Sequence, residues 1–105
     1  MSDDVPLGTF EEQVMLAVVH ASAAAFGMSV RREIESRTGR DVAIGAVYAT
    51  LDRLEAKRLI SSTRPKTTGT SRRIFRITTA GSRALLATRT MREGLWRGID
   101  LARIV

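Results

Sequence analysis

The stretch that decides the fold runs from Ile44 to Lys57 and reads IGAVYATLDRLEAK. Its apolar residues Val47, Leu51 and Leu54 recur at intervals of four and three, which is the spacing of one face of an amphipathic helix. Tyr48 lies on the flank of this apolar face. The opposite face combines small residues with one cation and consists of Gly45, Ala46, Ala49 and Arg53. Such a face can approach another surface closely, because little side-chain bulk covers the backbone.

Two short extended segments follow this helix and predict a β-hairpin. Leu59–Arg64 is the first strand, and Ser71–Thr78 is the second, with Ile74 and Ile77 as its apolar residues. The stretch between them, Pro65–Ser71, is rich in turn-forming residues and contains a glycine. Two extended runs around a glycine-bearing loop favour a hairpin.

Two helices are predicted before the deciding stretch, after a disordered lead-in over residues 1–8. Thr9 and Glu12 have the spacing of a capping box, which begins a helix that runs to about Ala23. This first helix is apolar on most sides, so we expect a partner chain to cover part of it. The second helix spans about residues 28–38 and ends at Gly39.

A last helix is predicted from Thr79, capped by Thr78, toward the end of the chain, with apolar residues at spacings of three and four. Three short helices followed by a hairpin are the element order of a winged helix-turn-helix. The sequence therefore predicts a mainly α fold with a small β-hairpin. We expect residues 9–78 to form a winged helix-turn-helix DNA-binding domain and residues 79–105 to form a C-terminal helix. In this fold the third helix enters the major groove of DNA, and the hairpin lies against the backbone or the minor groove.

The charge distribution supports a polyanionic partner. The 105 residues carry a formal net charge of +6. Residues 1–60 hold seven basic and nine acidic residues, whereas residues 61–105 hold ten basic and two acidic residues. A basic strip of this kind fits nucleic acid, because each neutralised phosphate releases counterions; a solvated basic face is the alternative. The expected DNA-contacting residues are Gly45, Ala46, Tyr48, Ala49, Thr50 and Arg53 on the third helix, and Lys66, Thr68, Arg72 and Arg73 in the hairpin.

Composition argues against several other classes. With no cysteine and only His20 as histidine, the chain offers no disulfide, thiolate zinc site or histidine metal cluster, and we expect no cofactor. No catalytic or phosphate-loop motif is present, so an enzyme is not expected. The longest apolar run, Val14–Val19, is far shorter than a membrane span, and the acidic N-terminus is unlike a signal peptide. A soluble cytoplasmic protein is therefore expected.

Two separated motifs resemble those of PadR-type transcriptional regulators. The first is Gly45–Glu55 followed by Leu59-Ile60, and the second is Gly69–Gly81, the hairpin and its exit into the last helix. Leu7-Gly-Thr and Phe26-Gly27 agree as well, so the resemblance covers about residues 7–87. Three departures from the usual family pattern are Met28 in place of an aromatic residue, Arg58 in place of glycine, and Phe75 in place of tyrosine.

The resemblance implies a homodimeric repressor of the short subfamily with a single C-terminal helix. It also implies that the first and last helices build the dimer interface, for which we expect Met15, Val19, Leu85, Met91, Leu95 and Ile99. Some short PadR-like proteins hold planar aromatic compounds in an apolar cleft between subunits. Trp96 could line such a cleft or simply pack the interface. Gly94 and Gly98 either permit close approach of a helix or mark a kink.

Three functions fit these observations. The leading one is a sequence-specific DNA-binding repressor with a pseudo-palindromic operator. A winged-helix adaptor that recognises protein is favoured weakly by the uncharged third-helix face and opposed by the basic hairpin. Nonspecific nucleoid packaging is the third, and it would need little base recognition.

Overall fold

A computed structural model describes residues 6–65 and 72–104. Within these ranges the chain forms helices α1 (Thr9–Ala21), α2 (Gly27–Thr38) and α3 (Ile44–Ala56), strands β1 (Ile60–Thr63) and β2 (Ile74–Ile77), and helix α4 (Thr79–Trp96). Two short 3-10 turns, Ser22–Ala24 and Leu101–Arg103, follow α1 and α4. The expected mainly α fold with a two-stranded hairpin is confirmed.

The N-cap residue of helix α1 is one residue earlier than the sequence predicts. Gly8 is the N-cap residue, and its backbone N–H donates to Glu11 Oε1 at 3.0 Å. The capping carboxylate is therefore that of Glu11, and the prediction of a box between Thr9 and Glu12 is wrong. Glu12 is instead turned inward, where it is buried and accepts a hydrogen bond from Arg92 on the last helix.

The core is built from the apolar faces of α1, α2 and α3 and closed by the hairpin. Val47, Leu51 and Leu54 are all completely buried, which confirms the inner stripe of α3. Phe75 on β2 is 1% exposed, and its backbone N–H donates to the Ala25 carbonyl at 2.8 Å. The hairpin is thus bonded to the α1–α2 connection as well as packed on the core.

Met15 belongs to this core and not to an intersubunit surface. Its side chain has no exposed area within its own chain, whereas the neighbouring Leu16 and Val19 are 42% and 52% exposed. The expectation that Met15 contributes to a dimer interface is wrong. The first helix is apolar on most sides because one face fills the core and another is left uncovered.

The hairpin is antiparallel, with Ile60 opposite Ile77 and Ser62 opposite Phe75. Between α3 and β1, Arg58 has a φ of 62°, the left-handed conformation that usually favours glycine. The chain therefore makes the tight helix exit typical of a glycine with an arginine in its place. Close packing follows at Gly81, where a Cβ atom would collide with the Leu59 carbonyl oxygen.

Helix α4 begins as expected but ends early. The Thr78 side chain accepts a hydrogen bond from the Gly81 N–H at 3.0 Å, which confirms the predicted cap. The helix stops at Trp96, and Gly98 leaves it with a φ of 81°, so Ile99 lies beyond the helix. Gly94 remains inside the helix with open space around it. Of the two interpretations, close approach of a helix or a kink, the second fits Gly98, because the chain changes direction there as it leaves α4.

The two halves of α4 have different environments. Ala84 and Thr88 are buried against the body, and Thr88 Oγ1 accepts from the Leu7 N–H at 2.9 Å. Every residue from 89 to 104 is exposed. Among the described residues, no helix has the length and apolar character needed to cross a membrane.

Candidate nucleic-acid interface

The outer face of α3 is exposed and small, as the sequence predicted. Gly45, Ala46 and Ala49 are all exposed, and no atom of a neighbouring residue lies within 4 Å of the position that a Cβ on Gly45 would take. Tyr48 is 42% exposed at the edge of this face. A flat helical surface of this kind can bring its backbone near the base edges of a groove.

Tyr48 is fixed by its contact with α2. Its ring occupies the space that a Cβ atom at Gly27 would need. The absence of a side chain at Gly27, the first residue of α2, therefore leaves the space that the tyrosine ring fills. This contact holds the aromatic side chain between α2 and α3, with its exposed part directed to the outside.

Thr50 does not belong to the exposed face. It is 3% exposed, and its Oγ1 accepts a hydrogen bond from Arg53 Nη2 at 3.3 Å. The expectation that Thr50 reaches bases or phosphates is wrong, because its helical position turns it toward the core beside Val47, Leu51 and Leu54. Its hydroxyl instead supports the guanidinium of Arg53.

Glu11 on α1 binds two cations, Arg53 on α3 and Lys57 at the C-cap of that helix. Its Oε2 accepts from Lys57 Nζ at 2.9 Å and from Arg53 Nε at 3.4 Å. Burial alone would raise the pKa of Glu11, but the hydrogen bonds from Lys57, Gly8 and Arg53 outweigh it and bring the pKa below its ordinary value. The Glu11 carboxylate thus stays ionised and keeps Arg53 and Lys57 on the side of α3 that faces α1.

A cationic cleft lies between α2, Tyr48 and the base of the hairpin. Its volume is about 320 Å³. The Arg72 guanidinium carbon lies 4.1 Å from the centroid of the Phe26 ring, an arrangement that favours a cation over an aromatic face. The lining residues are Phe26, Gly27, Met28, Arg32, Tyr48, Arg64, Arg72 and Arg73. Four arginines line this hollow, and the exposed Arg32 and Arg72 make it suited to an anion.

Arg73 differs from its neighbour Arg72. Its Nη1 donates to Asp52 Oδ1 at 2.9 Å and its Nη2 donates to Glu55 Oε1. The guanidinium carbon also lies 4.8 Å from the centroid of the Phe75 ring. Sequence reasoning treated both arginines alike as DNA contacts, but Arg73 is bound to two carboxylates of α3. Lys66 and Thr68, the other hairpin residues expected to contact DNA, lie outside the described residues.

A second exposed surface is apolar and runs along α1 and the outer half of α4. Val19, Met91, Leu95 and Ile99, four of the expected interface residues, are 52%, 41%, 71% and 51% exposed. Leu85 is partly buried against its own core. Trp96 is 59% exposed and lines a shallow hollow of about 230 Å³ with Leu95, Ile99 and Leu101. His20, at the end of α1, is exposed as well.

Several residues in and near the cationic cleft were not predicted from the sequence. They are Phe26, Arg32 and Arg64 in the cleft and Lys57 at the C-cap of α3. The pair Phe26-Gly27 was a usable signal, because an aromatic residue followed by glycine before a helix predicts close packing. In the described part of the chain no group of histidines and carboxylates could hold a metal ion.

The fold and the two surfaces define a protein of the winged helix-turn-helix class. Residues 15–87 match the model of the transcriptional regulator PadR-like family, and the chain belongs to that family. It is 38% identical over 88 residues to the transcriptional regulator Rv3488 of Mycobacterium tuberculosis, a match that covers 82% of this chain and 81% of that protein.

Solved structures of H. salinarum RosR have the same fold. One, grown from NaBr, aligns with a TM-score of 0.73 at 21% identity and covers 96% of this chain and 87% of that one. The complex structure of hsRosR-S4 aligns with a TM-score of 0.72 at 20% identity and covers 92% and 80%. At this level of identity the likeness concerns the fold.

Proposed function

We propose that this PadR-family protein is a homodimeric, sequence-specific DNA-binding repressor. The observation that carries the proposal is the small exposed face of α3 beside a cleft that presents the exposed Arg32 and Arg72. Bases would be read by the α3 face, and phosphates would be held by the cleft and the hairpin. The family to which the chain belongs is one of transcriptional regulators, and the name of its mycobacterial relative agrees with this assignment.

The two parts of the surface have separate tasks in this proposal. Gly45, Ala46 and Ala49 let α3 approach base edges, and Arg53 and Tyr48 contact bases or the adjacent backbone. Arg72, stacked on Phe26, is aimed at a phosphate with little loss of side-chain freedom.

Dimer formation is proposed from the uncovered apolar side chains of α1 and α4. Leu95, 71% exposed, and Val19, 52% exposed, are large apolar groups that a second copy of the chain would cover. A two-fold dimer would present two α3 helices to successive major grooves about 34 Å apart, so the operator would be pseudo-palindromic.

Trp96 supports a finer proposal about an effector. With Leu95, Ile99 and Leu101 it forms an open apolar hollow, and a planar aromatic compound could stack on the indole between two subunits. The alternative is a tryptophan that only packs the interface. Titration of planar dyes, followed through the absorbance or fluorescence of the dye itself, decides between them: binding to the wild type that is lost in a Trp96→Ala variant supports the effector site, and the absence of binding excludes it.

The first experiment is binding of the purified protein to its own upstream DNA and to a scrambled duplex across a salt series. A complex on the upstream fragment that outlasts the scrambled one as salt rises is the expected result. Equal, salt-labile binding to both would favour nucleoid packaging over a specific operator. Binding to neither would favour the protein adaptor, for which the largely uncharged α3 face is the supporting observation.

A further inference from the structure

Four residues join the hairpin to the recognition helix, and we name them the wing clasp: Asp52, Glu55, Ser62 and Arg73. Asp52 and Glu55 lie three residues apart on α3, so their carboxylates share one side of the helix. Arg73, immediately before β2, donates to both of them. Ser62 on β1 donates from Oγ to Glu55 Oε2 at 2.6 Å.

Glu55 is the centre of the wing clasp because it engages both strands. One carboxylate oxygen accepts from β1 through Ser62, and the other accepts from the residue before β2 through Arg73. The hydrogen bond from Ser62 and the pairing with Arg73 lower the pKa of Glu55 below its ordinary value in spite of partial burial. The two carboxylates in turn raise the pKa of Arg73, the hydrogen bond to Asp52 being the largest cause. Glu55 and Arg73 are therefore both ionised at neutral pH.

The wing clasp separates the two adjacent arginines. Arg72 is exposed and stacks over Phe26 in the cationic cleft, whereas the side chain of Arg73 is 25% exposed and lies over Phe75. Phe75 is itself buried in the core and bonded through its backbone to Ala25. The Arg73 guanidinium is thus confined between α3 carboxylates on one side and a fixed aromatic ring on the other.

The geometry points to Arg73 as a positioning residue that sets the hairpin against α3 and acts on DNA affinity through that orientation, without a phosphate contact of its own. This inference rests on the proposed DNA-binding function and deepens it. Two carboxylates beside a DNA-binding face would ordinarily repel phosphate. In the wing clasp, the two carboxylates fix the orientation of the hairpin, and the gain in DNA affinity from that orientation exceeds the loss from their repulsion of phosphate.

The sign of one substitution separates positioning from direct contact. Glu55→Gln removes a negative charge near the bound DNA, so it strengthens binding if Arg73 simply contacts phosphate. If the clasp orients the hairpin, the same substitution weakens operator binding by about tenfold, the equivalent of roughly one charged hydrogen bond. Glu33→Gln on α2 is the matched control, because it makes the same charge change in an ion pair with Arg37, away from the hairpin.

A second measurement needs no DNA. Amide hydrogen exchange over β1 and β2 should be faster in Glu55→Gln and Arg73→Ala than in the wild type, and unchanged in Glu33→Gln. In the salt series, Arg73→Ala should keep the wild-type slope, because no phosphate contact is lost. Arg72→Ala should lower the slope by about 1.

Tighter binding by Glu55→Gln, or a slope lowered equally by the two arginine substitutions, would overturn the inference. Unchanged exchange in the hairpin would overturn it as well, whatever the DNA result. If the wild-type protein binds neither duplex, the proposed function fails, and the exchange data alone decide whether the clasp holds the hairpin in place.

Discussion

At the scale of single residues, the contact between Gly27 and Tyr48 connects stability to the recognition face. The tyrosine ring takes the volume that any side chain at position 27 would fill. The sequence analysis noted both residues but did not predict that the Tyr48 ring lies over the first turn of α2. The periodicity of a helix shows which residues share a face, but it does not show which residue of another helix they contact.

Gly27→Ala is expected to lower the free energy of unfolding by about 1–3 kcal/mol, the usual cost of forcing extra volume into a packed site. Gly45→Ala is the matched control, because that glycine faces open space inside a helix, and alanine there should stabilise the fold by about 0.5–1 kcal/mol. Urea unfolding measures both. If Tyr48→Ala fails to reduce the cost of Gly27→Ala, the steric explanation is contradicted.

Arg58 gives a prediction of the opposite sign. It holds a φ of 62°, and the left-handed conformation costs a residue with a side chain about 1 kcal/mol. Arg58→Gly should therefore leave stability unchanged or raise it by up to about 1 kcal/mol. Ala49→Gly, in the middle of α3, should lower it by about 1 kcal/mol. A clear loss of stability in Arg58→Gly would show that the arginine side chain contributes more than its backbone costs.

At the scale of elements, α3 and the hairpin are expected to make different kinds of contact with DNA. Arg72→Ala should weaken binding on every duplex and lower the salt slope by about 1, since one phosphate contact is lost. Substitutions at Ala49 or Arg53 should instead change which sequences are preferred. Binding assays on operator and random duplexes test this division, and equal losses on both for all three variants would contradict it.

Apart from the early end of α4 at Trp96, the bounds of the helices and strands followed closely from the sequence, whereas the pairing of side chains did not. Val47, Leu51 and Leu54 were assigned to the core by their spacing, and Thr78 was identified as a cap. Thr50 and Met15 were predicted to lie on the surface, but both are buried. Both lie next to buried residues on their helices, and the sequence of a helix does not show where its buried face ends. The carboxylate partners of Arg73 were not predicted, because they are 18 and 21 residues away along the chain.

At the scale of the whole molecule, acid should destabilise the fold. Glu11, Glu35 and Glu55 have pKa values below the ordinary one, Glu35 chiefly because it accepts a hydrogen bond from the Val42 backbone N–H. A carboxylate with a depressed folded-state pKa stabilises the protein above its unfolded value of about 4.3, and this contribution is lost as pH falls through the folded-state value. Urea unfolding between neutral pH and about pH 3 should show the loss, with a shallower dependence in Glu55→Gln. Equal stability across that range would contradict the assignment.

The uncovered half of α4 predicts the assembly state. Leu95→Glu should convert a dimer to a monomer, because a charge would be buried in the proposed interface. Ser82→Glu on the inner half of the same helix is the control, since that residue is exposed beside the body of the protein. Sedimentation velocity measures both. A Leu95→Glu protein that stays dimeric would place the contact elsewhere.

Helix α4 is fastened to the body at Thr88, which accepts a hydrogen bond from the Leu7 N–H, and again at Arg92, which donates to Glu12 on α1. The helical residues beyond Thr88 span about 12 Å, so a rotation of about 10° about Thr88 moves the end of the helix by about 2 Å. The pair between Arg92 and Glu12 restrains this rotation. In a dimer joined at the outer ends of α4, such a rotation in both copies would change the distance between the two α3 helices by a few ångströms, against the roughly 34 Å of one turn of DNA. Loosening of the ion pair between Arg92 and Glu12 would then widen the range of half-site spacings that the dimer accepts.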